Sequence, residues 1–188
     1  MSTRGCIARL KARAPPAFEG VYHHWDSYPS GLGQALYRLW NGHFRMNTEA
    51  MLHELIDRHP AGWSTVVERS FDQTPGFSMD ERGDRPQCYC HGERSESGWR
   101  VTDENAAASG VEYAYAFDGA RMLILGSFIK DGSKMVGLFG SGDELAEWAV
   151  IAEVTLDGPE PDWEAIDELS ATRPPTTTPS AHRASPVR

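Results

Sequence analysis

The chain has 188 residues, of which 40% are hydrophobic and 24% are charged, a composition typical of one globular domain. No apolar run approaches the roughly 18 residues that a membrane-spanning helix needs, so the composition excludes a transmembrane helix. The formal net charge is −9, which disfavours direct nucleic-acid binding as the main function.

The last 18 residues differ in composition from the rest of the chain. Residues 171–188 are rich in Pro, Thr and Ser, and Val187 is their only aliphatic residue larger than alanine, so we expect a disordered tail. Residues 1–170 are predicted to form a single α+β domain. Because the tail holds three arginines and no acid, this domain has 15 basic and 27 acidic side chains and a net charge of −12.

The first half of the chain alternates between strand and helix patterns. Two β-rich runs on either side of the turn at Ala14-Pro15-Pro16 predict an N-terminal hairpin. Apolar residues at helical spacing then predict two helices, the first capped by Ser30 and the second by Asn47. The predicted elements are strands at 5–10 and 19–25, helices at 31–41 and 47–59, and a strand at 63–68.

The second half begins with a long loop, 72–100, dense in Gly, Pro and charge, in which only residues 88–90 could pair as a strand. A loop of this length in a compact domain is usually functional or mobile. The turns Asp118-Gly119, Asp131-Gly132 and Gly140-Ser141-Gly142 then separate four β-rich runs, and a short amphipathic helix follows. These elements are strands at 111–117, 121–130, 134–139 and 147–156 and a helix at 162–169.

Together these elements predict an α+β fold. We expect an antiparallel sheet, made of the N-terminal hairpin and the C-terminal meander, with two helices packed on one face.

The densest group of reactive side chains lies where the second strand leads into the first helix. Strand alternation predicts that Tyr22, His24 and Asp26 face one way, and His23 and Trp25 the other. His24 and Asp26 then form a candidate acid–base or metal-ligand pair. They are the candidate catalytic residues. The structural alternative is that His24 hydrogen-bonds Asp26 and only fixes the turn.

Other residues of this segment are candidates for ligand contact, namely Tyr22, Trp25, Tyr28, Gly31 and Gly33. The two glycines next to a helix N-terminus could bring backbone amides close to an anion. No Walker or dinucleotide-binding motif is present. The structural alternative is that the aromatic residues wedge the helix against the sheet.

The motif His-Trp-Asp-x-Tyr-Pro-x-x-x-Gly resembles that of a group of uncharacterised bacterial and phage proteins, in which it commonly reads His-Trp-Asp-Gly-Tyr-Pro. The matching positions run from His24 to Gly33, with Ser27 where that group has Gly. The resemblance implies a bacterial, phage or plasmid origin and no particular reaction.

A second candidate site contains Cys88, Cys90 and His91, whose thiolate and imidazole groups are ligands that zinc prefers. Alternation along a strand would place His91 opposite the two cysteines, which argues against a shared ion unless the chain turns. A fourth ligand would be remote in sequence, and Cys6, His43, His53 and His59 are the candidates. The alternative is ordinary reduced thiols, consistent with an odd cysteine count, the absence of a signal peptide and a cytoplasmic location.

Two functions follow as hypotheses. The first is a bacterial or mobile-element accessory protein that binds a protein partner through its acidic body. The alternative is a small metal-assisted hydrolase that uses His24 and Asp26. The sequence leaves open whether the protein is an enzyme, whether zinc is bound, and the oligomeric state.

Overall fold

The computed structural model describes residues 2–68, 71, 78, 85–91, 98, 100–128 and 147–171. Several predicted features lie outside the described residues. They are most of the loop 72–100, the strand 134–139, the turns at 131–132 and 140–142, and the tail from residue 172 onward.

Eight strands form one mixed sheet. The strands are β1 (Gly5–Arg13), β2 (Pro16–His23), β3 (Trp63–Thr65), β4 (Gln87–Cys88), β5 (Val101–Thr102), β6 (Tyr113–Asp118), β7 (Arg121–Phe128) and β8 (Glu147–Thr155). Seven of these strands follow the order β4-β3-β2-β1-β6-β7-β8 across the sheet. The eighth strand, β5, also pairs with β2 and is not part of this linear order.

Two predicted hairpins are confirmed. Strands β1 and β2 pair antiparallel from Gly5↔His23 to Arg13↔Pro16. Strands β6 and β7 pair antiparallel and close with Asp118 opposite Arg121. Gly119 lies in that turn with φ of +58°, a left-handed conformation that glycine adopts without steric cost.

The prediction of a purely antiparallel sheet was wrong, because β1 pairs parallel with β6 and β2 pairs parallel with β3. Parallel neighbours need a long crossover connection, usually one that contains a helix. The helical segment between β2 and β3 provides such a crossover. The turn signals of the sequence report only pairing between consecutive strands, so they could not reveal these two pairings.

The helices are short and begin with local caps or with proline. A π-helical turn (Pro29–Gly33) leads into α1 (Gln34–Asn41), α2 (Thr48–Leu52) leads into a second π-helical turn (His53–Asp57), and α3 spans Trp163–Leu169. The Asn47 side chain caps α2 by accepting the amide hydrogen of Ala50 at 3.0 Å, as predicted. No described helix has the length and apolarity needed to cross a bilayer.

Ser30 does not cap the first helix as predicted, because it lies inside the first π-helical turn. Its amide donates instead to Oδ1 of Asp167 in α3 at 3.1 Å, and its hydroxyl donates to Oδ2 of the same carboxylate. Ser30 therefore ties the start of the first helix to the last one.

Both faces of the sheet are covered. The larger hydrophobic cluster packs the helices against one face and includes the fully buried Trp63, Leu36 and Tyr115. A smaller cluster covers the other face, where Phe18 meets the ring of Trp148 edge-on at a centroid distance of 4.9 Å. The predicted packing of helices on one face therefore agrees with the structure.

Candidate functional site

The chain leaves β2 at His23 and reverses direction before the first π-helical turn. Asp26 adopts a left-handed backbone conformation with φ of +53°, which aspartate and asparagine tolerate better than most residues. Its carbonyl accepts the amide hydrogen of Leu32 at 2.9 Å, and a Cβ atom at Gly31 would lie 2.2 Å from that oxygen. This close approach requires glycine at position 31. The side chain of Asp26 is exposed.

A buried histidine supports this turn from below. His23 is 1% exposed, and its Nε2 accepts the amide hydrogen of Val66 at 3.1 Å. Its Nδ1 therefore carries the ring proton and donates to Oγ of Ser27 at 2.7 Å. Burial, with a smaller contribution from the neighbouring His24, lowers the pKa of His23 to about 3. The ring is thus neutral near pH 7 and links β2 to the segment after β3.

A cleft of about 450 Å³ opens between this turn, α1 and the residues that follow β3. We call it the Trp25 cleft and define it by Trp25, Asp26, Tyr28, Arg38 and Glu68 of its lining. Tyr28 is 37% exposed, so its ring is accessible from solvent. The cleft therefore combines two aromatic rings with ionisable groups.

Tyr22 and His24 are not among the described residues that line the Trp25 cleft. The Tyr22 hydroxyl and Nδ1 of His24 share a hydrogen bond of 2.7 Å, and burial raises the pKa of Tyr22 to about 12, so the phenol is protonated near pH 7. The His24 ring also meets Trp25 edge-on at 4.6 Å, and its carbonyl accepts the Ser2 hydroxyl. Because β2 ends at His23, strand alternation does not continue to Asp26.

Gly33 lies beneath the cleft and outside its described lining. A Cβ atom there would lie 2.9 Å from Cε1 of Tyr115 and 3.1 Å from Cζ3 of Trp163. Gly33 therefore allows the first π-helical turn to pack closely against the sheet and α3. The Gly31 amide donates to the Tyr28 carbonyl at 2.9 Å, so it is already used within the turn.

Carboxylates lie close enough to Tyr28 to influence its phenol. Burial raises the pKa of the Tyr28 phenol, and the negative charges of Asp26, Asp167 and Glu164 raise it further. This shift reports a negative potential at the Tyr28 hydroxyl, which disfavours an anionic ligand there.

Arg38 is the only Lys or Arg among the described residues of the cleft lining. Its guanidinium pairs with Glu68 at 3.1 Å and with Glu160 at 3.1 Å. Two carboxylates therefore balance this single positive charge, and the Asp26 carboxylate adds to the negative charge of the cleft.

The second candidate site is a cysteine–histidine cluster made of His59, Cys88, Cys90 and His91. Ligand atoms of His59, Cys88 and Cys90 all lie within 4.8 Å of one another. Strand β4 ends at Cys88, and the chain then turns, so Nδ1 of His91 comes to 3.1 Å from Sγ of Cys88 rather than pointing to the opposite face. Among the four remote candidates from the sequence, the structure brings His59 to this cluster.

The other three candidates lie elsewhere. Cys6 is buried in the hydrophobic cluster on the far face of the sheet. The His43 ring packs against Phe44 and Phe71, and exposed His53 pairs with Asp57 at 3.3 Å. The spacing between residues 59 and 88 carries no signal that selects His59, because the contact arises from the antiparallel pairing of β3 and β4.

Part of the cluster is buried: His59 and Cys88 are buried, Cys90 is half-buried and His91 is exposed. The His59 ring lies 4.5 Å from that of Trp63, and the Ala61 amide donates to Sγ of Cys90 at 3.2 Å. Burial raises the pKa of the Cys88 thiol to about 11. Burial also lowers the pKa of His59, against an opposing effect of Glu54. Without a bound cation, the Cys88 thiol and the His59 ring are therefore neutral near pH 7.

Comparison of the chain with protein families, with curated proteins and with solved structures finds no match. The arguments for function therefore start from the two sites themselves.

Proposed function

We propose that the protein is a binding protein that holds a basic side chain of a protein partner in the Trp25 cleft. The observation that carries the proposal is that the half-buried Trp25, the exposed Tyr28 and the exposed carboxylate of Asp26 line one cavity. A lysine or arginine side chain matches this combination, since it has an apolar stem and a cationic head.

The aromatic rings support a cationic ligand through their electron-rich faces. A Lys or Arg head over a Trp or Tyr ring gains about 0.5–1 kcal/mol at an exposed site, and more when it is desolvated. Trp25 and Tyr28 supply such rings on the described lining of the cleft.

The charge of the chain supports the same choice of ligand. The charges of Asp26, Asp167 and Glu164 act on Tyr28 of the cleft, and the cation of Arg38 is already paired. Residues 1–170 add a net charge of −12, which attracts a basic partner and speeds its encounter with the acidic body.

A small cationic probe tests this proposal on the full chain. We expect Nα-acetyl-lysine methylamide to shift the indole NMR signal of Trp25 on titration. The variant Asp26→Asn keeps a residue that tolerates a positive φ and removes the charge. It should weaken binding of the probe by roughly three- to tenfold.

Glu104→Gln is the matched control, because it removes an equally exposed carboxylate that is not part of the described cleft lining. This variant should bind the probe like the wild type. Equal affinity of Asp26→Asn and wild type would contradict a cation site at Asp26.

The metal-assisted hydrolase with His24 and Asp26 remains a prediction. The described contacts join His24 to Tyr22, Trp25 and Ser2, while Asp26 lines the cleft. The only group of three or more potential metal ligands found among the described residues is His59, Cys88 and Cys90. The geometry therefore favours the binding proposal.

A further inference from the structure

Four potential metal ligands converge at one edge of the sheet. His59 follows the second π-helical turn, Cys88 ends β4, and Cys90 and His91 lie in the turn after it. Ligand atoms of the first three lie within 4.8 Å of one another, and His91 Nδ1 lies 3.1 Å from Cys88 Sγ. With Zn–S bonds of about 2.3 Å and Zn–N bonds of about 2.0 Å, tetrahedral ligand atoms are separated by about 3.3–3.8 Å. The ligand atoms of His59, Cys88 and Cys90 therefore need only small shifts to reach zinc geometry, and the exposed His91 ring would rotate toward them to complete the four-ligand set.

The imidazole of His59 has an unused nitrogen. His59 is 4% exposed, and its Nδ1 is buried with no hydrogen-bond partner among the described residues. A buried polar atom without a partner is unfavourable, and a metal ion is one ligand that satisfies such a lone pair. Nε2 of the same ring lies 3.4 Å from Oε1 of Glu54. A carboxylate at the second nitrogen is the arrangement that commonly orients metal-binding histidines.

We propose that His59, Cys88, Cys90 and His91 bind one Zn²⁺ ion as a structural site. Two thiolates and two imidazoles are a donor set that zinc prefers, and the two thiolate charges balance the charge of the ion in this partly buried setting. Binding breaks the two S–H bonds, forms two Zn–S bonds and releases two protons to solvent, with no redox change. The Ala61 amide at 3.2 Å from Sγ of Cys90 is placed to stabilise the resulting thiolate.

The position in the fold indicates what the ion does. Strand β4 has two residues and, among the described strands, pairs with β3 alone, through Trp63↔Cys88 and Thr65↔Gln87. The zinc ion would join this short edge strand and the following turn to His59 at the end of the helical segment. Because the protein supplies all four ligands, no coordination position remains for a substrate, which makes the site structural rather than catalytic.

Zinc analysis of the untagged full chain tests the site. We expect about one equivalent of Zn²⁺ in the wild type purified with zinc, and less than about a tenth in Cys90→Ser. Cys6→Ala and His53→Ala are matched controls, since these residues lie away from the cluster. Both controls should retain about one equivalent of zinc.

A cobalt titration of the zinc-free wild type keeps the test independent of whether any variant folds. Co²⁺ bound by two thiolates in a tetrahedral site shows an intense sulfur-to-metal charge-transfer band and strong visible d–d bands. We expect both at one equivalent, and loss of both on adding excess Zn²⁺. The proposal is overturned if the wild type binds neither metal, if Cys90→Ser keeps its zinc, or if the cobalt spectrum is that of a five- or six-coordinate ion.

Discussion

The Trp25 cleft and the cysteine–histidine cluster lie at opposite ends of β3 and differ in almost every physical respect. Residues after β3, from Val66 to Glu68, line the cleft, whereas Ala61 before β3 contacts the cluster. The cleft is open and carries ionised groups whose charges are partly paired in solvent. The cluster is largely buried, and its Cys88 thiol and His59 imidazole are neutral in the absence of a cation. An open charged site suits reversible binding, and a largely buried set of thiol and imidazole donors suits a permanent ion.

Metal removal should have the largest effect on stability. It is also the clearest test of the difference between the cleft and the cluster. A zinc ion that binds only the folded chain adds about 4 kcal/mol to the free energy of unfolding when free zinc is about a thousand times the dissociation constant. We expect a chelator to lower the denaturation midpoint of the wild type accordingly, as measured by urea unfolding. Cys90→Ser should show no chelator effect, and a chelator effect of equal size in that variant would argue against the cluster as the source.

Gly31→Ala should damage the cleft and leave the cluster intact. The added Cβ would lie 2.2 Å from the Asp26 carbonyl oxygen, a backbone atom that cannot simply rotate away. We expect a loss of about 2 kcal/mol in unfolding free energy and weaker binding of the lysine probe. Zinc content should stay unchanged.

Gly119→Ala serves as the control for that substitution. Its Cβ would have no atom within 4 Å, so only the cost of the positive φ remains, about 1 kcal/mol. Probe affinity should not change. A similar loss of probe affinity in both variants would show that general destabilisation, rather than the cleft, is responsible.

Acid should destabilise the fold through His23, which forms the floor of the cleft. The folded pKa of about 3 lies below the unfolded value, so between these values the unfolded chain binds more protons. The stabilisation is complete above about pH 6.5 and is lost as the pH falls, by about 2 kcal/mol at pH 5. His23→Gln should reduce the loss between pH 7 and pH 5 by about this amount, as measured by chemical denaturation. His53→Gln, at an exposed site, should leave the stability loss between pH 7 and pH 5 unchanged. An unchanged pH dependence in His23→Gln would contradict the claim that burial of His23 causes this loss.

The smallest expected effect concerns the link between the cleft and α3. Ser30→Ala removes the hydroxyl hydrogen bond to Asp167 and should cost about 1 kcal/mol in unfolding free energy. Ser109→Ala, which loses a hydroxyl bond to the Asn105 carbonyl away from both sites, is the comparison. If Ser30 positions the cleft, Ser30→Ala should also weaken probe binding, whereas Ser109→Ala should not.

Local features of the fold could be predicted from sequence, and features set by distant contacts could not. The hairpins around residues 14–15 and 118–119 and the Asn47 cap depend on neighbouring residues, and the structure agrees with them. The parallel pairing of β1 with β6 depends on where a crossover returns, which no turn motif encodes. Ser30 failed as a cap because the helical segment begins one residue earlier, at Pro29, so Ser30 lies inside its first turn and its hydroxyl donates to the distant Asp167.

For the two sites as well, the sequence predicted which neighbouring residues belong together but not the backbone turns and distant contacts that place them. The sequence placed Trp25, Asp26, Tyr28 and Gly31 in one segment, and all four line the cleft. It treated Asp26 as a continuation of the strand, because a positive φ at a residue other than glycine leaves no clear sequence signal.

For the cluster, the prediction that His91 faces away from the two cysteines assumed that the strand continued past Cys88. His59 remained one of four equal candidates, since its approach depends on the pairing of β3 with β4. The Cys-x-Cys-His motif therefore contributed three residues of the proposed zinc site, and tertiary structure was needed to add His59 as the fourth.

The most direct test of the binding function compares two probes of equal shape and different charge on the wild-type chain. Nα-acetyl-lysine methylamide and Nα-acetyl-norleucine methylamide share an alkyl stem, and only the first carries a cation. With the Trp25 indole signal as readout, the lysine probe should bind about tenfold more tightly, and added salt should reduce the difference. Equal affinities, or shifts that leave the Trp25 signal unmoved, would contradict a cation-binding cleft.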